Sequence, residues 1–336
     1  MSGSELGPLT FTPVLKDYLW GGRRLQTVLG RPLPPGPVAE SWEVSGHRSG
    51  LTKVSAGPLA GEDLASLTEQ LGVALVGARG RWAAERHKFP LLVKLLDAHA
   101  ALSVQVHPDD DFAERWEHGE LGKAEMYYVL HADEGAQMVY GLKPGVDPVT
   151  LRSALRGGSA EGVLNYTAVR TGDVVAVQPG TVHALLGGVL VTEIQRSSDA
   201  TYRLYDWGRV GLDGKARELH IEKALEVIDF GRSGDGVVTP ETLSMAPGLL
   251  WQRLVVDSRF VVEKVALQDG AQFEGACDGS TMEIWGCLAG CATFQSGRAE
   301  MALPAVGYVL LPATLGGYTL CGSPSATCLR VYLPPS

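Results

Sequence analysis

The sequence predicts a mainly β protein in two domains, with a few peripheral helices. Three observations predict it. The chain carries 42 glycines and 19 prolines, which punctuate short apolar runs in the manner of an all-β chain with many turns. Several of those runs alternate between apolar and polar residues, as a strand with one buried face does. Finally, the pattern of Gly172 to Thr181 (glycine, apolar strand, proline, small residue, threonine) recurs at Gly307 to Thr314, as a second copy of one strand unit would. A length of 336 residues has room for two domains.

Composition removes several classes of function. A hydrophobic fraction of 45% with 20% charged residues is that of a soluble globular protein. A net charge of -9 argues against a nucleic-acid partner, which needs a basic face. It leaves small anions open, because they require only a local basic pocket. The first residues show no basic segment followed by an apolar core, so no signal peptide is expected. No apolar run approaches the roughly 20 residues needed to cross a bilayer, so no membrane partner is expected. All five cysteines, Cys277, Cys287, Cys291, Cys321 and Cys328, lie in the last third. None forms C-x-x-C, and their odd number fits reduced thiols in strands better than a disulfide framework. A cytoplasmic location is the expectation.

Taken in order, residues 8–60 read as short strands and turns, with Arg31 to Pro37 as a stiff loop. Trp20 and Trp42 suit a core, whereas Glu40 is an acid in a run that otherwise reads as buried. Residues 62–88 are predicted helical from Leu64, Leu67, Leu71, Ala74 and Leu75, with Gly77 and Gly80 as interruptions. Leu91 to Leu96 is an apolar strand holding Lys94. A lysine there must pair with an acid, such as Asp97, or meet an anion. Leu102, Val104 and Val106 then alternate with Ser103, Gln105 and His107, which puts three hydrogen-bonding side chains on one strand face. Burying them is costly unless something binds them. Helices are predicted at 109–119, 147–156 and 218–230. The run Gly231 to Gly236 is the best linker in the chain. It divides a first domain, residues 1–235, from a second, 236–336, which reads as short strands only.

Four residues form a metal-capable set: Gln105 and His107 on one strand, Glu125 opening the next, and His183 after Pro179-Gly180-Thr181-Val182. Imidazole and carboxylate suit zinc, iron, nickel or manganese, and two histidines with one carboxylate suit catalysis better than structure. A lone histidine such as His47, His87, His99, His118 or His131 is more often a surface or core residue. The combination of Q-x-H-P, G-K-x-E and P-G-T-x-H therefore carries the reading.

These motifs resemble those of a known family. P-G-T-V-H after a glycine-led strand resembles the second motif of the cupins. The wider set is Trp20-Gly21-Gly22, Ala39-Glu40-Ser41-Trp42-Glu43, Phe89 to Lys94, Leu102 to Pro108, Gly122 to Glu125, Pro179 to His183, Tyr202 to Arg209 and Glu218-Leu219-His220. Together it resembles type I phosphomannose isomerase in its short bacterial form. The resemblance implies two cupin-type (jelly-roll) β-barrels, the first holding one zinc ion through Gln105, His107, Glu125 and His183, the second degenerate and without metal. It also implies interconversion of mannose 6-phosphate and fructose 6-phosphate through a cis-enediol, with zinc as Lewis acid. Arg203 matches the catalytic arginine. Lys123 is the candidate base, beside a divalent cation that favours the neutral amine, and Glu40 or a zinc-bound water is the alternative. Ser103, Lys94 and Arg209 are the choices for the phosphate. Gly122 stands where long forms often have a histidine, so a role for that histidine does not carry over. A small sugar phosphate is the expected partner, and a monomer or weak homo-oligomer the expected state. Two other readings of the same set are an Fe(II) cupin oxygenase and a non-enzymatic sugar-binding cupin. Gln105 as a fourth protein ligand disfavours the first, and Arg203, Lys123 and Glu40 beside the metal set disfavour the second.

Overall fold

A computed structural model describes residues 6–335 apart from 212, 213, 233, 269 and 298. The chain divides into two compact units. One comprises residues 15–41 and 94–237, the other the residues up to 14 with 42–93 and 238–336. The last crossing, between 237 and 238, lies next to the glycine-rich run at 231–236. The pairing of 42–93 with the C-terminal residues is a long-range matter with no local signature.

The unit 15–41/94–237 carries the predicted metal set, and its strands are labelled here. They are β1 (Val14–Lys16), β2 (Glu40–Ser45), β3 (Leu91–Ala98), β4 (Val104–Val106), β5 (Glu125–Ala132), β6 (Gln137–Leu142), β7 (Leu164–Ala168), β8 (Val174–Val177), β9 (His183–Leu185), β10 (Val189–Arg196) and β11 (Tyr202–Tyr205). The unit's boundaries fall inside β1, β2 and β3. One sheet runs β8-β5-β10-β3-β2-β1 and the other β11-β4-β9-β6-β7. Apolar side chains from both sheets form one buried cluster, with Leu96, Tyr127, Val129, Val175 and Val191 from the first meeting Met138, Tyr140 and Leu185 from the second. The two sheets therefore face each other across a shared interior.

The outer face of the second sheet is covered by helices. Val104, Val106, Ala184 and Leu204 pack there against Leu151 and Ala224. These come from α2 (Pro148–Arg156) and α3 (Ile221–Val227), while α1 (Asp110–Trp116) follows β4. The starts of α1 and α2 follow from capping. Asp109 accepts from Phe112 N at 2.8 Å and Asp147 from Thr150 N at 2.7 Å, with Pro148 at the first turn. The predicted helices at 109–119, 147–156 and 218–230 are present, each shorter than expected. The alternation at 102–106 holds only in part. Val104 and Val106 face the helices and Gln105 the interior, but Leu102 joins the interior cluster because the strand begins at Val104.

In the other unit the predicted helix at 62–88 is broken into Leu64–Leu71, Val73–Val76, a 3-10 turn Ala78–Gly80, and Arg81–Glu85. Gly72 (φ 50°) and Gly77 (φ 84°) make two of the breaks, a backbone region that glycine enters without strain. Strands Glu283–Ser296 and Gly316–Tyr332 form the spine of its large sheet. Trp285 packs edge-on against Phe273, Phe294 and Tyr318. Buried Glu263 and Glu283 are held by Arg330, at 3.2 Å from Nη1 and 2.9 Å from Nε respectively. The five cysteines are free thiols. Among the described residues no helix is long and apolar enough to cross a membrane.

Candidate active site

The strand registers assemble the metal set. Gln105 on β4 lies opposite His183 on β9 and, on its other side, opposite Arg203 on β11. Glu125 enters from the facing sheet, paired with Val177 and Gln195. His107, Glu125 and His183 are at most 1% exposed, and their donor atoms lie within 4.8 Å of one another. That is close to the span one ion with bonds of about 2.0–2.2 Å bridges. His183 Nε2 is 2.9 Å from Glu125 Oε1, and His107 Nε2 is 3.4 Å from Oε2. The Gln105 carboxamide reaches to 3.3 Å from His183 Nε2.

Three features fit this cluster to a metal. Nδ1 of His107 donates to the Ala200 carbonyl and Nδ1 of His183 to the Thr181 carbonyl, each at 2.9 Å. Both Nε2 lone pairs are thereby aimed inward, the usual orientation of a ligating histidine. Burial, reinforced by the Lys123 charge, pushes the His107 imidazole down to about 3, so it stays neutral as a ligand must. Burial alone would raise the Glu125 carboxyl, but the Lys123 charge first, with the neighbouring histidines, holds it well below the usual carboxylate range. Its Oε2 has the Lys123 ammonium 2.7 Å away yet makes no well-directed hydrogen bond, an acceptor that a cation would satisfy. Tyr127 donates to the other oxygen.

Beside the cluster opens a cleft of about 320 Å³, lined in part by Ser103, Gln105, Lys123, Glu193, Arg203 and Arg217. Lys94 lies 3.7 Å from Glu40 and 3.4 Å from Glu193, forming a buried chain of three ionisable groups along the cleft wall. Burial would lower the Lys94 ammonium, but Glu40 and Glu193 raise it above its ordinary value. Burial pushes the Glu193 carboxyl up to about 8, opposed by Lys94. The acid expected beside Lys94 was Asp97. That expectation is corrected, because Asp97 is taken by Arg24, whose backbone N–H donates to it at 2.6 Å.

Comparison with known proteins decides the family. Residues 9–141 match the family described as phosphomannose isomerase type I, catalytic domain. The chain is 36% identical to the probable mannose-6-phosphate isomerase GmuF of Bacillus subtilis over 316 residues, covering 94% of this chain and 96% of that one. The chain belongs to the type I phosphomannose isomerases. It is also 33% identical over 315 residues to a mannose-6-phosphate isomerase of Streptococcus mutans, covering 94% of this chain and 95% of that one. Among solved structures, the mannose 6-phosphate isomerase of Bacillus subtilis superposes with a TM-score of 0.87 at 32% identity, over 97% of this chain and 99% of that one. The predicted jelly-roll fold is thereby borne out.

Within this phosphomannose isomerase fold, nine of the residues singled out in the sequence line the cleft or the metal cluster beside it: Glu40, Lys94, Ser103, Gln105, Lys123 and Arg203 on the cleft, and His107, Glu125 and His183 in the cluster. Arg209 lies outside the cleft lining, donating to the Ala101 carbonyl and to Asp206, each at 2.5 Å. Sequence reasoning missed Tyr18, Tyr127, Glu193, Asp199, Thr201 and Arg217. Glu193 was findable, since an acid inside Val189–Arg196 is the same signal that flagged Glu40 and Lys94.

Gly122 has a steric reason to be glycine. A Cβ there would lie 2.4 Å from the Asp109 carbonyl carbon and the Asp110 nitrogen, so a histidine does not fit beside Lys123 without backbone movement. Gly122→Ala is expected to cost about 3 kcal/mol or more, read as a lowered midpoint in chemical denaturation. Wild-type stability in that variant would contradict the packing.

Proposed function

We propose that the chain is a metal-dependent aldose–ketose isomerase that interconverts mannose 6-phosphate and fructose 6-phosphate, and that its metal is one zinc ion held by Gln105, His107, Glu125 and His183. The observation that carries this is the buried His107–Glu125–His183 cluster opening beside a cleft lined by fixed cations. When bound, zinc would supply Lewis acidity toward the sugar oxygens, worth several kcal/mol.

The chain's own residues would do the rest. Arg203, next to Gln105 across the strands, is a permanent cation placed to balance charge as the C2 proton leaves. Its Nη1 donates to the Glu218 carbonyl at 2.9 Å, which fixes the guanidinium before substrate arrives. Lys123 lines the cleft and touches Glu125, so its amine is placed to carry the proton between C2 and C1. Glu40, held by Lys94, is the alternative base. Ser103 and Lys94 with the neighbouring basic groups of the cleft would receive the phosphate and hold the reacting end in register, and Arg209, the third sequence candidate, would act from outside the cleft lining. The buried ion chain lets Lys94 act as a scaffold for Glu40 and Glu193 as well. The reading also carries a cytoplasmic enzyme working on a small soluble substrate.

Incubation with mannose 6-phosphate, with fructose 6-phosphate detected as product, tests the reading. Turnover near 10 per second, with unphosphorylated mannose far poorer, is expected on the usual scale of enzymes. No conversion by metal-loaded protein would overturn it.

A further inference from the structure

We propose that Arg217 grips the phosphoryl group directly and sets the preference for phosphorylated sugars, while Arg209 is a positioning residue that holds the Arg217 platform. The proposal rests on the isomerase reading above.

Three guanidiniums, those of Arg203, Arg209 and Arg217, gather around the single carboxylate of Asp206, which is 6% exposed. Asp206 accepts from Arg217 Nε at 2.8 Å and Nη2 at 2.5 Å, and from Arg209 Nη2 at 2.5 Å. Arg203 is close enough that the Arg217 charge adds to the effect of burial in lowering it. Three positive charges against Asp206 and the exposed Glu218 leave a net positive cluster, and a phosphate monoester carries about −1.5 to −2 at neutral pH, so the cluster's sign complements the ligand's.

The arginines differ in what they are free to do. Each nitrogen group of Arg209 is spent on the protein: Nη1 on the Ala101 carbonyl, Nη2 on the Asp206 carboxylate, Nε on the Asp206 carbonyl at 3.3 Å. Arg217 spends Nε and Nη2 on Asp206, and it lines the cleft together with Arg203 and Ser103. A guanidinium held along one edge by a carboxylate is rigid and still offers donors along another, the geometry suited to planar recognition of phosphate.

The turn that carries Asp206 is itself clamped. Trp207 sits at φ 58°, a left-handed conformation that strains a residue other than glycine. It is secured by its indole N–H donating to the Leu102 carbonyl at 2.7 Å. With Arg209 on Ala101, these bonds fix the arginine turn against the residues leading into Ser103. Strain kept at a turn beside the cleft fits a platform that must not move when an anion arrives.

Arg217→Ala, Arg217→Lys and Arg209→Ala would be compared in full-length, metal-loaded protein. KM and kcat for mannose 6-phosphate would be measured, together with direct calorimetric binding of inorganic phosphate as a readout independent of turnover. Arg217→Ala is expected to raise KM and weaken phosphate binding by roughly 10–100-fold, with the loss falling on KM rather than kcat and metal content retained. Arg217→Lys, which keeps the charge and the fold but not the fork, is expected to recover part of both. Arg209→Ala is expected to affect phosphate binding less than Arg217→Ala. Unchanged KM and phosphate binding in Arg217→Ala, or a larger phosphate-binding loss in Arg209→Ala, would overturn the proposal. A wild-type protein that binds phosphate through Arg217 yet does not isomerise the sugar would sink the isomerase reading and leave the clamp standing.

Discussion

His183→Ala is expected to abolish both metal binding and isomerisation. His183 is fully buried and its Nε2 lies 2.9 Å from Glu125 and 3.3 Å from Gln105, so it is a centre of the proposed ligand set. Truncation removes one donor outright. It also leaves the Glu125 carboxylate, whose Oε2 already lacks a well-directed hydrogen bond, with one fewer neighbour. The several kcal/mol of charge stabilisation that a Lewis acid supplies corresponds to about 10³-fold in rate or more. Metal analysis and turnover on the same preparation check this together. A variant retaining a full metal complement and near-normal turnover would remove His183 from the ligand set. Because Ala184 and Val182 still pack against the helices, the fold should survive.

Arg203→Ala is the second large effect, and its signature differs. Arg203 lines the cleft but supplies no metal donor. Its loss is expected to lower kcat about 10²–10³-fold, the usual cost of removing one fixed stabiliser of developing charge, while metal content stays at the wild-type level. Neighbouring Arg217 and Arg209 are held on Asp206 and do not replace it. A variant that lost its metal, or that kept wild-type kcat, would show that Arg203 plays another part. The contrast separates the two proposed functions that adjoin on neighbouring strands, Gln105 toward the ion and Arg203 toward the substrate.

Much of this site was legible in the sequence for a physical reason. Lys94, Glu40 and Gln105 are polar groups in segments that otherwise read as buried, and such groups require partners. The partners they find are each other, the metal set and the cleft. Arg217 was not legible in that way. It lies in the polar stretch before α3, where an arginine is unremarkable, and only the folding of that stretch onto Asp206 brings it to the cleft. Arg209, by contrast, stands among the sequence's choices for the phosphate, but the sequence does not reveal that its nitrogens are spent on Ala101 and Asp206. The limits at the level of the fold are similar. The capping aspartates 109 and 147 are local signals, and the helices they begin are where the pattern put them. The grouping of residues 42–93 with the C-terminal strands depends on partners some two hundred residues away. The break at Gly77 depends on packing as much as on composition, since a Cβ there would meet the Ser280–Thr281 backbone.

The most direct measurement is turnover of mannose 6-phosphate by the purified protein before chelation, after chelation, and after return of zinc, with bound metal quantified at each stage. The account predicts one ion per chain, activity that falls with its removal by about 10³-fold or more, and recovery on readdition. Full activity in protein shown to be free of metal would contradict it.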